Sequence, residues 1–365
     1  MKTRLPVRAA ILSRKTYEAP AEGRAGKIRL DFNENTTGCG AAVLRALAKL
    51  TPQQFAMYPE YQAPTGRIAR HLGVRPEELL LTNGGDDALR VFFDTFAEPR
   101  SHILICEPTF PMYRYYAEIA GARIETCRYD AQQKFPLKEV LVALRKRPRV
   151  FFLANPNNPT GTLVPPAELR KILDAAPNTA MVFDEAYAEF SGFSTISWIR
   201  RYPNLFIART FSKAAGLAAL RLGAVIAEKD SLAFVRRAMP PFPVNLAALI
   251  AAEAALRDRT AIRKYVCDVQ RNREQFTGAL KKLGVRTFPS AGNFLLAEFG
   301  PSGPALFAQL ERKGILLRPR THDMGAGFVR ITIGTSREMK QLLAEIKRNW
   351  RNPDATDGDH SSNHH

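Results

Sequence analysis

The sequence is poor in the residues that build metal centres and disulfide scaffolds. Of its six histidines, His360, His364 and His365 fall in the polar tail 352–365, which leaves few for the rest of the chain. The four cysteines form no CxxC pair and show no metal-ligand spacing. These scarcities argue against a histidine-centred triad or a metal site, and we expect the cysteines to be reduced.

Long apolar runs are also missing. No run reaches the length of a membrane span, and the first residues lack the apolar stretch of a signal peptide. We therefore expect a cytoplasmic protein with no membrane partner. Acidic residues are fewer than basic ones: the chain has 35 Asp+Glu and 53 Lys+Arg, which gives a net charge of +18. The basic residues are dispersed, which favours a solvated basic surface over a nucleic-acid site.

What the chain does have is enough apolar material for a large core. Its 365 residues are 45% hydrophobic, which suggests a division into two domains. We predict an N-terminal segment, 1–43, that joins a small domain at 246–351. The large domain spans 44–245, and the polar tail 352–365 is expected to be disordered or partly vector-derived.

The large domain alternates apolar strand-like runs with helical stretches. The predicted strands are 79–81, 103–105, 150–153, 181–183 and 204–208, and the clearest helix is 86–97. This alternation predicts an α/β fold with a mostly parallel sheet covered by helices. Beyond it, a long helical stretch at 245–283 precedes strand-like pieces at 294–296 and 328–333, separated by a helix at 304–313. They predict a smaller α+β domain.

Polar residues follow two of these strands, where ligands bind in open α/β sheets. Asp184 and Tyr187 come after one strand, and Lys213 follows the next. A carboxylate for a ring nitrogen, a phenol for a ring oxygen and an amine for an aldehyde suit pyridoxal phosphate. The sequence therefore predicts a pyridoxal phosphate site and an aminotransferase.

Other segments could complete that site. Gly85 and Asp86 begin the predicted helix 86–97, where backbone amides and the helix dipole favour a phosphate. Ser212 and Arg221 would add a hydroxyl and a permanent cation. Two further side chains follow strands as well: Asn158 in a proline-stiffened turn, and Phe110, which could stack on a pyridine ring. Taken alone, each of these segments also fits a tight turn or a core position.

Taken together, the motifs resemble the fold-type I pyridoxal phosphate enzymes, and among them the histidinol-phosphate aminotransferase branch of the class I/II aminotransferases. The matching segments are 31–35, 57–60, 83–86, 107–110, 155–161, 184–187, 209–223, 291–294 and 330–335. They span nearly the whole chain in order, which makes the set far more specific than any one motif.

The resemblance implies roles for these residues. Lys213 would form the Schiff base with the cofactor, Asp184 would partner its ring nitrogen, and Tyr187 and Asn158 would donate to its ring oxygen. Ser212, Arg221 and the amides of Gly85 and Asp86 would hold the phosphate. Tyr58 would reach the phosphate of the neighbouring subunit's cofactor, which implies a homodimer with shared active sites.

The substrate side is implied less directly. Arg330 would clamp a carboxylate, Arg318 and Arg320 a second anionic group, and Asn33 and Tyr17 would complete the pocket. The implied reaction belongs to histidine biosynthesis: histidinol phosphate and 2-oxoglutarate give imidazole acetol phosphate and glutamate.

Two departures affect the substrate assignment. The usual Asn-Glu-Asn-Pro-x-Gly reads 33–38 Asn-Glu-Asn-Thr-Thr-Gly here, and the segment 318–320 is close to the common pattern without matching it. An aminotransferase for aromatic or other amino acids, and a pyridoxal phosphate-dependent decarboxylase or lyase of the same fold, therefore stay open as alternatives.

Overall fold

The computed structural model describes residues 5–12, 14, 16 and 22–350. The strands are β1 (Ile28–Arg29), β2 (Leu79–Thr82), β3 (His102–Glu107), β4 (Arg123–Arg128), β5 (Val150–Ala154), β6 (Ala180–Asp184), β7 (Leu205–Thr210), β8 (Gly223–Ala227), β9 (Arg286–Thr287), β10 (Phe294–Glu298), β11 (Ile315–Leu316), β12 (Arg318–Pro319) and β13 (Phe328–Thr332).

The helices are α1 (Ala9–Leu12), α2 (Ala41–Leu47), α3 (Pro52–Ala56), α4 (Gln62–Leu72), α5 (Gly85–Phe96), α6 (Met112–Ile119), α7 (Leu137–Leu144), α8 (Pro166–Ala175), α9 (Ala188–Ser191), α10 (Lys229–Arg237), α11 (Leu246–Arg257), α12 (Arg259–Lys282), α13 (Gly303–Arg312), α14 (Thr321–Met324) and α15 (Ser336–Asn349). Single 3-10 turns lie at Pro76–Glu78, Ile196–Trp198, Ala218–Leu220 and Gly300–Ser302.

The largest sheet has seven strands in the order β2-β8-β7-β6-β5-β3-β4. Only β8 runs antiparallel to its neighbours, β2 and β7. The remaining pairs are parallel, so their carboxyl ends meet at one edge of the sheet. The predicted α/β fold with a mostly parallel sheet is confirmed.

Both faces of this sheet are buried because helices cover each of them. Within β5, Phe151 and Leu153 pack on one face and Phe152 on the other, as the two-residue period of a strand requires. Helices α2, α4, α7, α8 and α11 cover the first face, and α5, α6 and α10 cover the second. The strands therefore read as continuous apolar runs in the sequence.

A smaller antiparallel sheet has the order β12-β13-β10-β9, and β1 pairs in parallel with β11. Helices α12, α13 and α15 pack with it in a separate apolar cluster, which also includes Leu30 and Tyr187. The predicted helical stretch 245–283 is two helices, because Asp258 ends α11 and its side chain caps α12 by accepting from Ala261 N at 3.2 Å. The domain boundaries stay a prediction, and the predicted tail 352–365 lies outside the described residues.

In the part of the chain that the structure describes, no helix combines the length and the apolar character needed to cross a bilayer.

Candidate active site

The carboxyl ends of the central strands open on a cavity of about 490 Å³. Most of the side chains predicted for the site line it: Gly85, Asp86, Phe110, Asn158, Asp184, Tyr187, Ser212, Lys213, Arg221, Arg318, Arg320 and Arg330. Most of these residues come from one edge of the large sheet, whereas Arg318 and Arg330 lie in the small antiparallel sheet and Arg320 directly follows β12. Among the described residues, no group of three or more potential ligands is placed to hold a metal ion.

Lys213 lies just beyond the end of β7, and its amine reaches back to the N-terminal segment. Its Nζ donates a hydrogen bond to the carbonyl oxygen of Phe32 at 2.8 Å. Burial, followed by the positive charge of Arg330, lowers the pKa of Lys213 from its ordinary value of 10.5 to about 8. The amine is therefore more readily deprotonated, and so more nucleophilic, than that of a surface lysine.

Asp184 ends β6 with both carboxylate oxygens hydrogen-bonded. Its Oδ2 accepts from the hydroxyl of Tyr113 at 2.8 Å, and its Oδ1 accepts from the amide of Ala186 at 3.0 Å. Burial raises the pKa of Asp184, while these two hydrogen bonds act in the opposite direction. Each oxygen keeps a further lone pair for a group in the cavity.

Tyr187 and Asn158 face the cavity with oriented polar groups. The hydroxyl of Tyr187 accepts from Asn33 Nδ2 at 2.9 Å, and burial raises the pKa of Tyr187, so the phenol keeps its proton. Asn158 Oδ1 accepts from Arg330 Nη1 at 2.6 Å. Because this bond uses the amide oxygen of Asn158, its NH₂ group is the part that can donate to a ligand.

One end of the cavity is suited to a phosphate. The first amides of α5 have no acceptor within the helix, and Gly84 before it has φ +86. A Cβ at Gly84 would lie 2.6 Å from Arg221 Nη2, so only glycine lets the arginine approach this closely. Arg221 and the buried hydroxyl residue Ser212 line the same cavity.

This donor set fits pyridoxal phosphate. An amine, a carboxylate, a phenol with an amide, and a phosphate-binding end all line one cavity, and each matches a different part of that molecule.

The cavity also has an arginine side, which is lined by Arg318, Arg320 and Arg330. Arg330 is buried, donates to Asn158 and to the carbonyl of Asp31, and burial lowers its pKa to about 10. Arg320 pairs with Asp323, and Arg318 lies over the ring of Phe32 at 5.8 Å. Among the described residues, the buried Nε atoms of Arg320 and Arg330 have no hydrogen-bond partner. Two buried donors without acceptors mark where an anionic group of a substrate can bind.

Of the predicted residues that the structure describes, Asn33 and Tyr58 do not line the cavity. Asn33 is buried behind Tyr187 with φ +55, so it contacts a site residue and is not among the residues that line the cavity. Tyr58 is 78% exposed and stacks on Phe242 at 4.4 Å, outside this cavity. Tyr17 lies outside the described residues.

Tyr113 and Phe32 also line the cavity, although neither was predicted as a site residue. Tyr113 lies three positions after Phe110, in the first turn of α6. Its closeness in the sequence to a predicted site residue was the signal that could have indicated it. Phe32 acts through its carbonyl oxygen, which no side-chain pattern can indicate.

The model of the family "Aminotransferase class I and II" matches residues 25–346. The histidinol-phosphate aminotransferase of Geobacillus sp. (strain WCH70) is 37% identical over 323 residues, which cover 87% of this chain and 88% of that protein. This chain belongs to the class I and II aminotransferases. It is therefore a pyridoxal phosphate-dependent aminotransferase, as the motifs predicted.

Solved structures agree on the fold. Histidinol-phosphate aminotransferase from Sinorhizobium meliloti, in complex with pyridoxal-5'-phosphate, superposes with a TM-score of 0.85 and 25% identity, covering 94% of this chain and 97% of that one. L-threonine-O-3-phosphate decarboxylase from Porphyromonas gingivalis reaches a TM-score of 0.77 at 24% identity, covering 88% and 98%. Because transaminases and a decarboxylase share it, the fold alone does not separate the two reactions.

Proposed function

We propose that the protein transfers an amino group from histidinol phosphate to 2-oxoglutarate, giving imidazole acetol phosphate and glutamate in histidine biosynthesis. The observation that carries this proposal is the arginine side of the cavity. Arg320 and Arg330 each have a buried Nε–H without an acceptor in the described part of the chain, and both line the cavity that contains Lys213. Both substrates of this reaction bring anionic groups, a phosphate in one and two carboxylates in the other.

Lys213 and Asp184 have different roles because they lie next to different parts of the proposed cofactor. Bound here, pyridoxal phosphate supplies an electron sink for the carbanion formed at the amine-bearing carbon of the substrate. Nζ of Lys213 takes the proton from that carbon, and its lowered pKa provides the neutral amine that this needs. Asp184 holds a proton on the ring nitrogen of the cofactor.

The remaining groups position the cofactor. Tyr187 and Asn158 donate to its ring oxygen, and Phe110 packs against the ring. Its phosphate is held by Ser212, Arg221 and the amides of Gly85 and Asp86, in keeping with the glycine-cradled approach of Arg221.

On the substrate side, Arg330 binds the α-carboxylate of glutamate or 2-oxoglutarate. Arg318 and Arg320 bind the second anionic group, which is the phosphate in one half-reaction and the distal carboxylate in the other. Tyr17 is proposed to contact the substrate as well, and Asn33 to act on this side through Tyr187.

A donor panel with 2-oxoglutarate tests the substrate. Histidinol phosphate, histidinol, Phe, Tyr and Leu are compared by glutamate formation, and CO₂ release is followed for the amino acids. We expect the highest kcat/KM for histidinol phosphate and no CO₂. If Phe or Tyr is preferred, the enzyme is an aromatic amino-acid aminotransferase, and CO₂ release without glutamate would indicate a decarboxylase.

We also propose a homodimer with shared active sites. Phe55, Met57, Tyr58 and Phe242 are 68%, 66%, 78% and 51% exposed, and they form or flank an apolar surface around α3. A second copy of the chain would cover this surface and would receive Tyr58 at the phosphate of its cofactor. A cytoplasmic location is proposed too, supported by four cysteines that all remain free thiols.

A further inference from the structure

In the wall of the cavity, the hydroxyl of Tyr113 is hydrogen-bonded to Asp184. Tyr113 OH donates to Asp184 Oδ2 at 2.8 Å, and the tyrosine side chain is fully buried. Tyr113 belongs to the first turn of α6, whereas Asp184 ends β6, so the bond joins a helix start to a strand end. Among the described residues, this hydroxyl makes no other hydrogen bond.

The ring of Tyr113 is held in a stack that leaves little freedom. It lies nearly parallel to Phe152, with centroids 5.4 Å apart and planes at 16°. Phe152 stacks in turn on Phe93 at 4.7 Å, and Phe110 meets Tyr113 edge-on at 5.9 Å. Since β5 carries Phe152 and pairs with β6, the stack fixes the hydroxyl relative to Asp184.

A buried tyrosine hydroxyl in this fold does not need such a partner. Tyr129 is also buried, and its hydroxyl has no hydrogen-bond partner within the part of the chain that the structure describes. The bond from Tyr113 therefore reflects the placing of this particular side chain beside the carboxylate.

We infer that Tyr113 is a positioning residue that keeps the proton shared by Asp184 and the cofactor on the ring nitrogen. This inference rests on the proposed placing of that nitrogen beside Asp184. A hydrogen bond to a carboxylate stabilises its charged form and makes it a weaker base. A weaker base competes less for the proton of a pyridinium partner, so the ring keeps the positive charge that draws electrons from the substrate.

Tyr113→Phe removes the hydroxyl and keeps the ring in its stack. The matched control is Tyr116→Phe, the same change on the same helix at a side chain that does not line the cavity. Holoenzymes are prepared with pyridoxal phosphate carrying ¹⁵N at the ring nitrogen, and the ¹⁵N chemical shift reports protonation of that atom. Cofactor affinity of the apoenzyme is measured alongside by fluorescence titration.

We expect the ¹⁵N signal of Tyr113→Phe to move toward the unprotonated position and cofactor affinity to fall about tenfold, the usual effect of losing a hydrogen bond to a charged group. Tyr116→Phe should match the wild type in both. Replacing Tyr113 by 3-fluorotyrosine, whose more acidic hydroxyl is a stronger donor, should keep the ring nitrogen protonated and guards against a folding artefact in the Phe variant.

Asp184→Asn separates this inference from the proposed function. If Asp184→Asn shifts the signal and Tyr113→Phe does not, the role of Tyr113 is overturned while that of Asp184 stands. If neither variant shifts the signal, the ring nitrogen is not beside Asp184, and both the cofactor placement and the inference fail.

Discussion

The side-chain amide of Asn33 donates a hydrogen bond to the hydroxyl of Tyr187, with Nδ2 and the phenol oxygen 2.9 Å apart. Thr332 Oγ1 donates to Asn33 Oδ1 at 3.1 Å and accepts from the backbone N–H of Asn33 at 2.9 Å, so the side-chain amide of Asn33 is held in place. The phenol oxygen therefore acts as an acceptor toward Asn33, and the proton of Tyr187 is left for the cavity.

Asn33→Gly tests this relay. Glycine tolerates the positive φ of 55° at this position, so the backbone bonds of residue 33 should survive while the side-chain donor is lost. We expect kcat/KM to fall about fivefold, the value of one hydrogen bond of about 1 kcal/mol. In the double variant Asn33→Gly, Tyr187→Phe, the loss of kcat/KM, expressed as a free energy, should be smaller than the sum of the losses in the two single variants. Additive losses would show that Asn33 does not act through Tyr187.

A second prediction concerns the pKa of Lys213. Only the neutral amine attacks the cofactor aldehyde, so the rate at which apoenzyme takes up pyridoxal phosphate should rise with pH through about 8. Arg330 lowers this pKa, so Arg330→Gln should move the inflection to higher pH. Stopped-flow absorbance over a pH series measures the rate of cofactor uptake by the wild type and by Arg330→Gln.

The ionisations of the cofactor itself are common to wild type and variant, so the difference between the two profiles reports the lysine. Arg286→Gln, the same change at a residue outside the cavity, is the control and should leave the inflection in place. An unchanged inflection in Arg330→Gln would contradict the electrostatic coupling.

The sequence predicted those features of the fold and the site that depend on residues close together in the chain, and it did not predict those that depend on distant partners. Asp184 and Lys213 were predicted because each follows an apolar run that must end where its strand ends. Strand β8 was not among the predicted strands, and its antiparallel direction depends on partners far away in the chain.

The supporting residues show the same limit. Asn33 contacts Tyr187 across 154 positions and Thr332 across 299, and Tyr113 contacts Asp184 across 71. No local pattern encodes such pairs. The motif at Asn33 predicts a residue on the substrate side, which stays a prediction, and the hydrogen bond to Tyr187 is a contact that the motif could not indicate.

A stability prediction follows from the unpartnered hydroxyl of Tyr129. Burying a hydroxyl without a hydrogen bond costs free energy, so Tyr129→Phe should leave the free energy of unfolding unchanged or raise it by about 1 kcal/mol. Tyr113→Phe, which breaks a bond, should lower it. Urea unfolding of the two apoenzymes compares them, and a marked loss in Tyr129→Phe would mean that this hydroxyl has a partner after all.

The shared active site can be tested by mixing inactive subunits. Lys213→Ala should abolish turnover, and Tyr58→Ala should weaken it strongly if Tyr58 serves the partner's cofactor. A mixed dimer contains one Lys213→Ala subunit and one Tyr58→Ala subunit. One of its two sites then combines the intact Lys213 of one subunit with the intact Tyr58 of the other. Random reassembly of equal amounts should then restore about a quarter of wild-type activity. Activity no higher than that of Tyr58→Ala alone would show that each subunit works by itself.

The last prediction separates the cavity arginines from the general positive charge of the protein. Arg320 has an unpartnered buried Nε–H in the cavity, whereas Arg286 is half-exposed and pairs with Glu298 at 3.0 Å. Each is changed to Gln, so both variants lose one positive charge. If Arg320 binds the phosphate, Arg320→Gln should lower kcat/KM for histidinol phosphate at least about tenfold, which is the loss of about 1.5–3 kcal/mol from a charged hydrogen bond.

The same variant should change kcat/KM for histidinol far less, because that substrate has no phosphate to bind. Arg286→Gln should reduce neither value beyond a small effect that added salt removes, since surface charges act mainly through a screened field. Equal losses for histidinol phosphate in the two variants would assign the preference to the overall charge of +18, and the arginine pocket would no longer support histidinol phosphate as the substrate.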